Sequence, residues 1–62
     1  MLTVALHLRN LTRNTARFEE NNKSHPPVLG PRDGHGSLYL NLDEWELLGK
    51  PEILEVTVKA IG

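Results

Sequence analysis

Residues 36–51 read GSLYLNLDEWELLGKP and contain two hydrophobic periodicities in direct succession. Leucine occupies every second position from Leu38 to Leu42, with Ser, Tyr and Asn at the positions between and just before them. This period-2 alternation predicts a strand over 37–42 that has one apolar face and one polar face.

A short helix is predicted directly after that strand, over 43–49. Asp43 is a candidate N-cap, and Glu46 follows three residues later, as in a capping box. Gly49 suits the left-handed conformation that ends many helices, and Pro51 prevents the helix from continuing.

Two further segments, at the two ends of the chain, show the strand pattern. Over 2–9 the apolar residues fall at every even position, which predicts a first strand. Over 53–61 the segment ILEVTVKAI predicts a last strand, rich in β-branched residues, with Glu55, Thr57 and Lys59 on its polar face.

The segment between residues 8 and 20 permits two interpretations. NLTRN at 10–14 favours a turn, and TARFEE at 15–20 favours a second strand with Ala16 and Phe18 inward. The alternative is a helix, because some residues also lie at helical spacing: Leu8, Leu11, Thr15 and Phe18 as an apolar stripe, with Arg9, Arg13 and Arg17 four apart. The hairpin is preferred, since Asn and Thr form helices poorly and no convincing cap precedes the segment.

A long loop is predicted over 21–36, where three prolines and three glycines occur in sixteen residues. Its sequence from Pro31 to Gly34 is typical of a tight turn. Val28 and Leu29 are its only large apolar residues, and they either pin the loop to the core or form an exposed contact. Loops of this length are usually functional or disordered.

Together these segments predict a single domain over 1–62 of the β-rich α+β class, a four-stranded, mainly antiparallel sheet or small open barrel. Trp45 and Leu48 share one face of the helix and are expected in the core, but so short a helix covers only part of an apolar sheet face. The remainder must be covered by curling of the sheet, by the loop, or by another subunit. The sequence does not indicate whether the last strand runs parallel or antiparallel to the strand before it.

Composition excludes several classes of protein. The chain has 62 residues and no cysteine, so no disulfide can support its small core. Its net charge of −1 argues against non-specific binding of nucleic acid. Because no apolar run approaches a membrane span and the first residues do not resemble a signal peptide, a cytoplasmic protein without membrane contact is expected.

No constellation of residues indicates catalysis, a metal or a cofactor. The three histidines, His7, His25 and His35, lack ligand spacing. Asp43 and Glu46 are assigned to the helix start, and Glu19 and Glu20 point to opposite faces of a strand. The chain is therefore predicted not to be an enzyme.

The best indication of nucleic-acid binding is a set of three arginines and an outward-facing aromatic residue: Arg9, Arg13, Arg17 and Tyr39. Basic side chains beside an exposed aromatic ring are typical of single-strand-binding surfaces. The competing interpretation is an ordinary solvated sheet face with cross-strand ion pairs, such as Arg17 with Glu55.

Four segments have a recognisable order: NTARFEE (14–20), PPVLG (26–30), GSLYL (36–40) and LLGKPEILEVTV (47–58). Over residues 14–58 the chain resembles a family of short proteins from actinobacteria and their phages, which pair an NTxRF/YEE strand with a GxLYL strand and end in LG-P-x-x-I-x-VTV. It departs from them in its longer loop, 24–36, and in Asn41, where a basic residue is commoner. The resemblance implies a small cytosolic accessory protein, encoded by a phage, and implies no catalytic residue.

The prediction for function is a non-enzymatic protein-interaction module, a phage or mobile-element accessory protein that binds itself, as a homodimer, or a host protein. Strand addition at an open sheet edge is the simplest mode of contact. The alternatives are the nucleic-acid-binding protein described above and a structural subunit of a larger assembly. The candidate interaction surface comprises Arg9, Arg13, Arg17, Val28, Leu29, Arg32 and Tyr39.

Overall fold

The computed structural model describes residues 1–20 and 26–62, which form a curled, open antiparallel sheet, or half-barrel, with one short helix. The elements are β1 Leu2–Leu11, β2 Thr15–Glu20, β3 Ser37–Asn41, α1 Leu42–Leu47 and β4 Ile53–Val58. The strands lie in the order β3-β2-β1-β4, and every neighbouring pair is antiparallel. The predicted β-rich α+β class is confirmed, and the last strand runs opposite to the first.

Several predicted boundaries are wrong by a few residues. β1 continues to Leu11 instead of ending at residue 9. β3 stops at Asn41, one residue early, because α1 already starts at Leu42. The helix also ends early, at residue 47 instead of 49. β4 stops at Val58, three residues before the predicted end. The reason is its partner: Val58 lies opposite Leu2, where β1 begins.

The β1–β2 hairpin is confirmed, and a bulge explains why its sequence also fitted a helix. Leu8 pairs with Phe18, but the next pair is Asn10 with Arg17, so β1 contains one extra residue at this point. A bulge of this kind shifts the strand's alternation by one residue. Leu8 and Leu11 can therefore share a face of the sheet although they are three apart, as in a helix.

A polar turn closes this hairpin. The Thr12 backbone N–H donates to the Thr15 carbonyl (2.8 Å), the Thr15 N–H donates to Thr12 Oγ1 (3.0 Å), and the two hydroxyls lie 2.6 Å apart. The Leu42 N–H donates to the Asn14 carbonyl (3.0 Å), which ties the start of α1 to the hairpin tip.

The N-cap of α1 is Asn41 and not Asp43. Asn41 has extended backbone angles, and its Oδ1 accepts a hydrogen bond from the Glu44 N–H (3.0 Å). Asp43 and Glu44 lie in the first turn, where negative charge interacts favourably with the helix dipole.

Within residues 1–20 and 26–62, no helix has the length and apolar character that a membrane span requires.

The predicted left-handed end of the helix is confirmed at Gly49, which has φ +94°. The Gly49 N–H donates to the Glu46 carbonyl (3.0 Å) and the Lys50 N–H to the Trp45 carbonyl (3.1 Å). This pair of bonds is a Schellman motif, which satisfies carbonyls that the end of a helix leaves unpaired.

The core is small and lies on the inner face of the sheet. Its fully buried apolar residues, among those described, are Leu6, Ala16 and Phe18. Trp45 packs against them and its Nε1 donates to the Pro51 carbonyl (3.0 Å). The prediction that Leu48 joins the core is wrong: it is 60% exposed, and it is the C-cap, one residue beyond the last helical residue, Leu47.

Candidate interaction site

Arg9 and Arg17 meet on the outer face of the sheet at a shared carboxylate, Glu19. Arg9 Nε lies 3.1 Å from Glu19 Oε1, and Arg17 Nη2 donates to Glu19 Oε2. Arg17 is also the cross-strand partner of Tyr39, which is 58% exposed. The structure thus brings together three of the four residues predicted for nucleic-acid binding, but with a carboxylate between the two guanidinium groups.

The predicted pair of Arg17 with Glu55 does not form. β2 and β4 lie on opposite sides of β1, so their side chains are not neighbours across a ladder. Arg13 also lies apart from the Arg9–Arg17 pair. It is at the hairpin tip, where it lines a concavity with Asp43 and Glu46.

Glu20 holds the long loop against the inner face, a role that was not predicted from the sequence. Its carboxylate accepts hydrogen bonds from the backbone N–H groups of Val28 (3.0 Å) and Leu29 (2.7 Å). The residue is only 9% exposed. Glu19 and Glu20 do face opposite sides of the strand, as predicted. The overlooked indication was that Glu20 is in phase with the inward residues Ala16 and Phe18.

Val28 and Leu29 take different roles. Leu29 packs against the core, whereas Val28 is 38% exposed. The predicted turn is present, since the Gly34 N–H donates to the Pro31 carbonyl (2.9 Å), and it leaves Arg32 exposed. The part of the predicted loop at 21–25 lies outside the described residues.

One concavity, of about 290 Å³, contains the two described histidines, His7 and His35. Glu19 and Glu20 also line it, but Glu19 is bonded to arginines and Glu20 to the loop backbone. Across residues 1–20 and 26–62, no three His, Asp or Glu side chains are placed to hold a metal ion. The concavity is therefore lined by two histidines and by two carboxylates that are already hydrogen-bonded.

The end of the inner face formed by β1 and β4 carries apolar side chains that are only partly covered. Leu2 pairs with Val58 and Val4 with Val56, and we call these four side chains the apolar strip. Leu2 is 53% and Val58 40% exposed. α1 lies over β2 and β3, and the Glu20-anchored loop meets the core at Leu29. Neither α1 nor the described part of the loop, residues 26–36, covers this end.

The apolar strip borders an open edge of the sheet. β4 pairs with β1 along one side, and no strand in the described part of the chain pairs with its other side. Edge strands with exposed backbone groups are a natural place for another chain to add.

The fold defines the class as a small α+β protein built on a curled four-stranded antiparallel sheet. Comparison of the chain with protein-family models, with curated proteins and with solved structures gave no match. Its function is therefore inferred from its own geometry.

Proposed function

We propose that the protein is a small, non-enzymatic interaction module of the cytoplasm that binds another protein chain, either a second copy of itself or a host protein. The observation that supports this is the apolar strip beside the unpaired edge of β4. Aliphatic side chains left half-exposed at an open edge are stabilised when a further strand covers them. The resemblance described above supports a phage or mobile-element accessory protein.

The test is a capture experiment with matched variants. The chain is immobilised, exposed to host lysate, and the retained proteins are identified by mass spectrometry, while self-association is measured separately by light scattering. Val58→Lys places a charge on the apolar strip and is expected to abolish retention or self-association. Tyr39→Lys adds the same charge on the outer face of the opposite edge strand and is expected to change neither. Equal behaviour of the two variants would contradict the proposal.

A second candidate, binding of single-stranded nucleic acid, is favoured by the position of Tyr39 beside Arg17 on the outer face. An aromatic ring next to a guanidinium group can stack a base and contact a phosphate. We rank it second because Glu19 already bonds Arg9 and Arg17, which reduces the positive charge available to phosphates. Arg13, the remaining arginine of the set, lies beside acidic residues of α1.

A further inference from the structure

The backbone groups on the free side of β4 belong to its odd-numbered residues. The Leu8 N–H donates to the Glu52 carbonyl (2.8 Å), which identifies Leu8 and Glu52 as a hydrogen-bonded pair. Such pairs alternate along an antiparallel ladder, so the even residues of β4 direct their backbone groups to β1. Ile53, Glu55 and Thr57 direct theirs to the open edge, and Lys59 would do so if the strand continued.

The side chains along this edge are complementary to those of the same strand in a second, antiparallel copy of the chain. When two copies of β4 pair antiparallel about a two-fold axis at Thr57, Glu55 of each copy lies opposite Lys59 of the other. Ile53 lies opposite Ile61 in the same way, and Thr57 lies opposite Thr57. Opposite charges and paired β-branched residues both stabilise cross-strand neighbours.

Neighbouring registers lack this match. An axis at Glu55 would set two carboxylates opposite each other, which is destabilising. An axis at Val56 sets Glu55 opposite Thr57, and an axis at Val58 sets Thr57 opposite Lys59. Neither of these forms a pair of opposite charges.

Residues 59–61 independently support the pairing of β4 with a second copy. Their alternation predicts a strand, yet β4 stops at Val58 because β1 offers no further partner. Ile61 is left 92% exposed. In the Thr57-centred register residues 59–61 gain a partner strand, because they lie opposite residues 53–55 of the second copy.

We propose that the chain forms a two-fold symmetric homodimer by antiparallel pairing of β4 with β4 of a second copy, with Thr57 on the axis. The two sheets become one of eight strands, and Val58 gains Val56 of the second copy as a neighbour on the inner face. This inference rests on the proposed function and names its partner.

Single-cysteine cross-linking tests the register, since the chain has no cysteine of its own. Cysteines at the axis face each other at about 5.5 Å between Cα atoms, within the range of a disulfide. Thr57→Cys is therefore expected to give a covalent dimer under mild oxidation. Glu55→Cys is the matched control: its two copies lie four residues apart along the strands, about 13 Å, and should not cross-link. Faster cross-linking of Glu55→Cys, or none by Thr57→Cys, would overturn the register.

A charge-exchange cycle tests the same pairing without cysteine. Glu55→Lys and Lys59→Glu each replace two attractive pairs by two repulsive ones, so each should raise the dimer dissociation constant about tenfold, measured by analytical ultracentrifugation at low salt. The double exchange restores both pairs and should return the constant to near that of the wild type. Additive weakening in the double variant would overturn the proposal.

The mass of the wild-type chain in solution distinguishes failure of the homodimer from failure of the proposed function. A wild-type chain that stays at its monomer mass of 7.0 kDa at all concentrations would overturn the homodimer. If that monomer still retained a host protein in a Val58-dependent way, the interaction module would stand with a different partner.

Discussion

Gly36 leaves no room for a side chain beside the buried carboxylate of Glu20, and Gly36→Ala tests that contact. Gly36 has φ +65°, a conformation that L-residues with a Cβ adopt at a cost. A Cβ built here would lie 2.8 Å from Glu20 Cδ and 2.9 Å from Cγ, and would also collide with Oε2. The carboxylate cannot withdraw freely, because the N–H groups of Val28 and Leu29 hold it.

The magnitude follows from two terms. The left-handed backbone alone costs about 1 kcal/mol for alanine relative to glycine. Displacing Glu20 weakens at least one hydrogen bond to a charged group, which is worth about 1.5–3 kcal/mol. Gly36→Ala should therefore lower the free energy of unfolding by about 3 kcal/mol, a large part of the total for a domain of this size.

Urea unfolding followed by the fluorescence of Trp45 measures this loss, with a stabilising osmolyte added to all samples if the variant is unfolded in buffer. Gly30→Ala and Gly49→Ala are matched controls, because both glycines have positive φ (79° and 94°) with no atom within 4 Å of the added Cβ. Each should cost only about 1 kcal/mol. Protein concentration is kept constant, since self-association would add to the apparent stability.

A double-mutant cycle decides whether the steric explanation is right. In a Glu20→Ala background the colliding atoms are absent, so Gly36→Ala should cost only about 1 kcal/mol, as at the control glycines. If Gly36→Ala costs no more than Gly49→Ala, or if its cost is unchanged without Glu20, the contact does not constrain this loop and the reasoning fails.

Two further predictions concern the helix start and the outer face. Asn41→Ala should lower the free energy of unfolding by about 1 kcal/mol through loss of the N-cap, and Asp43→Ala by less than about 0.5 kcal/mol; the reverse order in urea unfolding would identify Asp43 as the cap. In a fluorescence-anisotropy titration at low salt we expect no binding of a labelled oligothymidylate by the wild type, and weak, salt-sensitive binding by Glu19→Gln, which releases Arg9 and Arg17. Wild-type binding that is lost in Arg17→Ala would favour the nucleic-acid candidate instead.

Alternation along the chain predicted which residues face inward in each strand, because a period of two depends only on local backbone geometry. It could not predict the bulge between Leu8 and Asn10, which depends on how β2 pairs. Nor could it choose between Asn41 and Asp43 as the N-cap. Both have suitable side chains, and the pairing of Asn41 with Thr15 at the end of β3 decides between them.

The candidate site was harder to predict than the fold. The Arg17–Glu55 pair required a strand order that no local pattern contains, and β1 lies between the two strands that bear these residues. The role of Glu20 depends on N–H groups of residues 28 and 29, which only the folded loop brings near. Residues that act through partners distant in the chain are the ones that local periodicity misses.

The strand order has a further consequence for the time course of folding. β1 is synthesised first and lies inside the sheet, yet one of its two neighbours, β4, is synthesised last. The pairing of Leu2 with Val58 joins residues 56 positions apart, and contacts of such long range form slowly. Before β4 has been synthesised, β1 is itself an edge strand with an apolar face, so a nascent chain is prone to aggregation along β1.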